Sequence, residues 1–88
     1  MTEFERKRVL DILTAKIRAN EWGSIKLNQV SPILQEEGID RSIYGGIGPK
    51  RWLGEHFPEL VIDGSNGMET VQLAEDSEAR ELRKIASV

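Results

Sequence analysis

The stretch IDRSIYGGIGPKRWLGEHFPEL, residues 39–60, decides the fold. The glycines within residues 45–48 free the backbone for a tight turn, and Pro49 suits the first position of a helix. Trp52, Leu53 and Phe57 follow at helical spacing and form an apolar face, and Pro58 stops the helix. The stretch therefore predicts a sharp turn followed by a short helix over about 49–57.

Two further helices and a very short strand are predicted before this stretch. Thr2 and Glu5 form the T-x-x-E pattern of a capping box, and the apolar residues that follow keep helical spacing, so the first helix spans about 3–20. Ile25-Lys26-Leu27 alternates apolar and polar residues as a short strand does. Asn28 is expected to cap a second helix that ends at Gly38.

A β-hairpin and a last helix are predicted after the stretch. Residues 60–63 are expected to form one strand and residues 68–73 the other. Between them, Gly64-Ser65-Asn66-Gly67 has the composition of a hairpin turn. Glu75-Asp76-Ser77 then begins a last helix that places Ala79, Leu82 and Ile85 on one side.

This order predicts an α+β, mainly α fold, a winged helix-turn-helix with three helices, a small antiparallel β-hairpin wing and an extra C-terminal helix. Residues 1–74 are expected to form the winged-helix domain, and residues 75–88 are expected to form the C-terminal helix, which caps the domain or links it to a neighbour. The expected core is drawn from the helices and the hairpin, and comprises Leu13, Ile17, Val30, Leu34, Leu53, Phe57 and Val71.

The composition argues against several classes of protein. The chain has no cysteine and one histidine, His56, so we expect no metal, no cofactor and no enzymatic activity. The net charge of −3 counts against a strong, nonspecific DNA binder. The longest purely apolar run is Leu60-Val61-Ile62, far too short for a membrane span, and we expect a cytoplasmic protein without membrane contact.

Several short motifs, taken together and in order, resemble the OST-HTH/LOTUS domain family. They are W-x-S-I-K-L-N-Q-V at 22–30, L-x-x-E-G-I-D at 34–40, Tyr44-Gly45, and Trp52-Leu53 with Pro58 before the hairpin. The resemblance covers about residues 5–74. Family members run from Tyr-Gly straight into a polar or basic helix start. Here Gly46-Ile47-Gly48-Pro49 intervenes, which is expected to delay and shorten the third helix.

The resemblance implies a non-catalytic RNA-binding module, in some members with a preference for G-rich or G-quadruplex RNA. Such domains are often attached to nuclease domains in bacteria, and an extended subclass with an extra helix binds helicases. We therefore expect an RNA-binding adaptor within a larger RNA-processing protein. The alternative is a protein-interaction module for a helicase or nuclease partner. A duplex-DNA regulator ranks last, because residues 63–69 at the wing tip carry no cation.

The candidate contacts with RNA lie in the deciding stretch. Lys50 and Arg51 at the start of the third helix are expected to meet phosphates, and Arg41 extends this patch or else pairs with Asp40 or Glu37. Trp52 either stacks on a base or packs in the core.

Other residues are expected to play secondary roles. Tyr44 is predicted to fill a gap between helices with its hydroxyl in solvent, and His56 is expected at the surface. A possible second basic patch comprises Arg6, Lys7 and Arg8. Leu82 and Ile85 are possible contacts for a protein partner.

Overall fold

The computed structural model describes residues 1–65 and 67–75. In these ranges the chain forms three α-helices and three strands, which in chain order are α1 (Glu3–Ala19), β1 (Ser24–Lys26), α2 (Val30–Glu36), α3 (Pro49–His56), β2 (Leu60–Asp63) and β3 (Thr70–Leu73). One 3₁₀ turn, Leu27–Gln29, precedes α2, and a second, Arg41–Tyr44, precedes α3. The predicted last helix, with Leu82 and Ile85, lies outside the described residues.

The strands form one antiparallel sheet in the order β1-β3-β2, so the last strand is central. Val71 in β3 pairs with Ile25 on one side and with Ile62 on the other. The described part is thus a small α+β domain, mainly helical, with a three-stranded antiparallel sheet. This architecture is compatible with a winged-helix-like fold. None of its helices has the length and apolarity needed to cross a membrane.

Helix α1 begins at the predicted capping box. The Thr2 hydroxyl accepts a hydrogen bond from the Glu5 backbone N–H at 3.1 Å, and the Glu5 carboxylate accepts one from the Thr2 N–H at 3.1 Å. These two bonds satisfy backbone donors that a helix start leaves without partners. The helix then buries Val9, Leu13 and Ile17 against the rest of the domain.

The core contains every residue predicted for it. Three aromatic rings pack together within it: the Trp52 ring centroid is 4.9 Å from that of Tyr44 and 5.1 Å from that of Phe57. Such tilted and edge-on pairs add to the free energy gained from burying the rings. The predicted core residues are joined in the same cluster by Val9, Ile25, Tyr44, Trp52, Leu60 and Leu73.

Three predicted boundaries are wrong. Strand β1 spans Ser24–Lys26 and not residues 25–27. Asn28 does not cap α2, because it lies inside the first 3₁₀ turn, which the Gln29 side chain closes by accepting a hydrogen bond from the Lys26 N–H at 3.2 Å. Strand β3 begins at Thr70, two residues later than predicted, after a longer turn.

The turn between β2 and β3 requires one of its glycines. Gly64 has a φ of 97°, and a Cβ placed there would lie 2.7 Å from the carbonyl oxygen of Met68. Such a contact is shorter than van der Waals packing allows, and a residue with a side chain rarely adopts this φ. The Asp63 carboxylate accepts a hydrogen bond from the Gly64 N–H at 2.9 Å and helps to hold the turn.

Candidate nucleic-acid interface

The second 3₁₀ turn and the start of α3 position the predicted cations. The Asp40 carboxylate accepts a hydrogen bond from the Arg41 backbone N–H at 2.7 Å and so caps the turn. Gly45, with a φ of 65°, ends it in the left-handed conformation. Pro49 then takes the first position of α3, as predicted, and Lys50 follows on that helix. Local backbone chemistry alone thus brings Arg41 and Lys50 to the two ends of one short connection.

Helix α3 presents a polar face to solvent. Trp52 and Leu53 are buried, whereas the residues on the opposite side are exposed, namely Lys50, Arg51, Gly54 and Glu55. Arg51 donates from Nε to Glu55 Oε1 at 2.9 Å, one helical turn further on. Part of the positive charge of Arg51 is therefore compensated within the helix.

Arg41 and Lys50 are exposed and form no ion pair with any residue in 1–65 or 67–75. The alternative that Arg41 pairs with the side chain of Asp40 or Glu37 is therefore wrong for this part of the chain. Asp40 instead uses its carboxylate to cap the turn. Within the described part of the chain, no carboxylate competes with an anionic ligand for either cation.

Trp52 does not reach solvent. Its relative exposure is 1%, and its ring lies between those of Tyr44 and Phe57. The interpretation of Trp52 as a base-stacking residue is therefore wrong, because a base could reach the indole only if the core opened. The alternative interpretation, that the indole packs in the core, is the one that the structure shows.

A depression of about 510 Å³ lies between the start of α2 and the start of α3. Leu27, Ile47 and Pro49 contribute apolar surface, and Tyr44 lies at its side. Polar groups line the same depression, among them Asn28 and Arg41. Pro49 immediately precedes Lys50, so the depression and the exposed cations belong to one region of the surface.

The prediction that the Tyr44 hydroxyl lies in solvent is wrong. It lies 2.8 Å from the Ser31 hydroxyl in a buried hydrogen bond that joins the second 3₁₀ turn to α2. The tyrosine ring does fill a gap in the core, as expected. His56 is exposed, as predicted, and its ring centroid lies 6.1 Å from that of Trp52.

The three residues of the second basic patch have different surroundings in the structure. Arg6 binds both carboxylate oxygens of Glu59 through Nη2, at 2.6 and 2.7 Å, and donates from Nε to the His56 carbonyl oxygen at 2.9 Å. Its guanidinium also lies 5.3 Å from the centroid of the Phe57 ring. Arg6 thus tethers α1 to the connection after α3, and its expected role as a phosphate contact is not supported.

The other two residues of that patch are more accessible. Arg8 donates from Nη2 to the Glu37 carbonyl oxygen at 2.7 Å, at the end of α2, whereas Lys7 is exposed and forms no ion pair in the described ranges. Near Arg8, a groove of about 500 Å³ runs between the start of α1 and the residues that follow α2. Phe4 lines this groove and is 78% exposed.

No protein-family model, no curated protein and no solved structure matches the chain.

Two contacts in the structure were missed by reasoning from the sequence. The Ser31–Tyr44 hydrogen bond joins residues 13 positions apart, and nothing in either residue's neighbourhood signals it. The Arg6–Glu59 pair spans 53 positions, and only the fold brings its partners together. The sequence did carry a signal for the cap of the second 3₁₀ turn, because Asp40 precedes that turn and aspartate is a preferred N-cap residue.

Proposed function

We propose that the chain is a winged-helix domain of LOTUS-like type that binds RNA without catalysing a reaction. It acts as an adaptor within a cytoplasmic RNA-processing protein and delivers RNA to a neighbouring catalytic domain. The observation that carries the proposal is the group of exposed cations, Arg41, Lys50 and Arg51, around the connection into α3. The order of helices and strands and the central position of β3 support the winged-helix assignment.

The charge of this region limits the strength of binding. The three cations are accompanied by two nearby carboxylates, those of Asp40 and Glu55, so the net charge of the region is about +1. A region with so few cations contacts few phosphates, and it should bind RNA at about micromolar concentration, with clear salt dependence. The described wing-tip residues 63–65 and 67–69 carry Asp63 and Glu69 and no cation, which favours RNA over duplex DNA as the ligand.

The test is a fluorescence-anisotropy titration with unstructured RNA, G-quadruplex RNA and duplex DNA at two salt concentrations. The test variant combines Arg41→Glu with Lys50→Glu. The matched control combines Lys16→Glu with Arg18→Glu, which changes the net charge equally at one lysine and one arginine of α1, both exposed and outside both candidate patches. We expect RNA affinity to fall at least tenfold in the test variant and by less than threefold in the control.

Two results would contradict the assignment. Equal RNA affinity of the wild type and the folded test variant would remove Arg41 and Lys50 from the site. Absence of RNA binding by the wild-type chain would overturn the RNA-binding function itself. Circular dichroism of each variant confirms that the fold is retained.

A second candidate function, a protein-interaction module, is favoured by the exposure of Phe4. A large aromatic side chain that is 78% exposed beside a groove is a typical anchor for a protein partner. Comparative pull-down with the wild type and Phe4→Ser tests it: a helicase or nuclease partner should bind only the wild type. RNA affinity should be unchanged in Phe4→Ser. Deletion of residues 75–88 tests the corresponding role of Leu82 and Ile85.

A further inference from the structure

We infer that the depression between α2 and α3 binds a single unstacked base of single-stranded RNA. This inference rests on the proposed RNA-binding function and specifies the form of RNA that the site accepts. The depression has apolar surface from Leu27, Ile47 and Pro49 and lies beside an exposed arginine, Arg41. A nucleobase needs this combination of an apolar contact for its face and polar groups for its edge.

The depression has room for one base. It holds about 510 Å³, within the range of small-molecule pockets. A base that remains paired or stacked in a duplex or quadruplex does not enter a depression of this kind, because its faces are covered by its neighbours. The site therefore selects loops and single strands.

Two side chains at the depression are suited to a base. Asn28 is exposed in the first 3₁₀ turn, and its amide offers both a donor and an acceptor to a base edge. Arg41 has a planar guanidinium that stacks on a base or binds the adjoining phosphate. Neither side chain forms a hydrogen bond with the described residues, so RNA displaces no bond to that part of the chain.

The buried hydrogen bond beneath this region holds its walls together. Tyr44 and Ser31 both line the depression, and their hydroxyls are 2.8 Å apart. This bond connects α2 to the second 3₁₀ turn, which carries Arg41. The backbone segments that carry Asn28 and Arg41 are therefore held relative to each other before RNA arrives, which reduces the entropic cost of binding.

The experiment compares RNAs that present the same phosphates with and without accessible bases. The probes are a 12-nucleotide unstructured RNA, an abasic RNA of the same length, a blunt RNA duplex and a folded G-quadruplex RNA. Stacking of one base contributes about 1–3 kcal/mol, which corresponds to roughly 5- to 150-fold in affinity. We expect the unstructured RNA to bind at least fivefold more tightly than the other three probes.

Paired variants then locate the base. Asn28→Leu removes the amide and adds bulk at the depression, whereas Gln35→Leu makes the same kind of change at an exposed position of α2 outside it. We expect Asn28→Leu to reduce affinity for the unstructured RNA at least fivefold and to leave affinity for the abasic RNA unchanged. Gln35→Leu should bind both probes as the wild type does.

The outcomes separate this inference from the proposed function. Equal affinity for unstructured and abasic RNA, or tighter binding of the quadruplex or the duplex, would overturn the base-binding depression while RNA binding through phosphates survives. Unchanged affinity in Asn28→Leu would overturn it as well. Failure of every RNA to bind would overturn both proposals together.

Discussion

The guanidinium of Arg6 binds both carboxylate oxygens of Glu59, at 2.6 and 2.7 Å, across 53 positions of the sequence. The same side chain donates to the His56 carbonyl oxygen at the end of α3. Hydrogen bonds of this kind, between a guanidinium and a carboxylate, are among the stronger ones in proteins, because both partners are charged. The pair holds the first turn of α1 against the segment from which β2 begins.

The Arg6–Glu59 pair should make stability depend on pH. The hydrogen bond from Arg6 holds the pKa of Glu59 below its ordinary value of 4.5. Because the folded carboxylate resists protonation, the stabilisation is complete above pH 4.5 and disappears as the pH falls through the lowered folded-state pKa. We expect Glu59→Gln to lower the free energy of unfolding at pH 7 by up to about 1 kcal/mol, since solvent screens the pair. Urea denaturation from pH 7 to pH 2 measures this.

The matched control for this prediction is Glu36→Gln. Glu36 is an exposed carboxylate on α2 without an ion pair in the described ranges, and the substitution changes the charge equally. The stability difference between wild type and Glu59→Gln should shrink below pH 4.5, whereas the wild type and Glu36→Gln should follow similar curves. A Glu59→Gln deficit that stays constant down to pH 2 would contradict the assigned role of the ion pair.

The Ser31–Tyr44 hydrogen bond should behave as a coupled pair. Tyr44→Phe leaves the Ser31 hydroxyl without its partner in a site that is 9% exposed, and an unsatisfied buried hydroxyl costs about 1–3 kcal/mol. Ser31→Ala in the Tyr44→Phe background should then cost less than roughly 0.5 kcal/mol, because no polar group remains to satisfy. Urea denaturation of the four proteins measures the coupling. Additive losses would show that the two hydroxyls do not depend on each other.

Substitution by alanine should change stability in opposite directions at two glycines. Gly54 lies inside α3, and a Cβ placed there meets nothing within 4 Å, so Gly54→Ala should stabilise the domain by about 0.5–1 kcal/mol through helix propensity. Gly64→Ala would place a Cβ 2.7 Å from the Met68 carbonyl oxygen and should destabilise the domain by about 1–3 kcal/mol. Thermal unfolding of both variants tests the pair. A destabilised Gly54→Ala would mean that α3 needs a glycine for another reason.

Much of the fold follows from local patterns. The spacing of Leu13, Ile17, Val30 and Leu34 predicted the helical core positions, and the glycines and prolines of residues 45–58 predicted the bounds of α3 to within one residue. These features depend on periodicity and backbone conformation, which a sequence displays directly. The prediction that Asn28 caps α2 is wrong because the Gln29 side chain closes a 3₁₀ turn there. The same local composition is compatible with a helix cap and with a 3₁₀ turn.

The candidate site was only partly predictable for a different reason. Whether Trp52 or Arg51 reaches solvent depends on how α3 rotates against the core, and two adjacent residues of a short helix do not fix that rotation by themselves. Trp52 turns inward toward Tyr44 and Phe57, while Arg51 turns outward and meets Glu55. Contacts between distant residues, such as Arg6 with Glu59, require the fold itself.

The burial of Trp52 predicts how the two tryptophans report on RNA. Trp22 is 74% exposed, whereas Trp52 is 1% exposed. In a Trp22→Phe variant the remaining indole should emit at shorter wavelength than the wild type and resist quenching by acrylamide. RNA should leave that emission nearly unchanged, because no base stacks on a core indole. Strong quenching of Trp52 by RNA would show that the indole leaves the core on binding.

The last prediction concerns the salt dependence of RNA binding. Each phosphate of a single strand that a cation neutralises adds about 0.7 to the slope of log affinity against log salt, so Lys50→Gln should lower the slope by that amount. Lys16→Gln is the matched control, because Lys16 is exposed on α1 and lines a separate groove with Gln29 and Glu36. Its slope should equal that of the wild type. Anisotropy titrations at four salt concentrations measure each slope, and equal slopes for the two variants would mean that Lys50 contacts no phosphate.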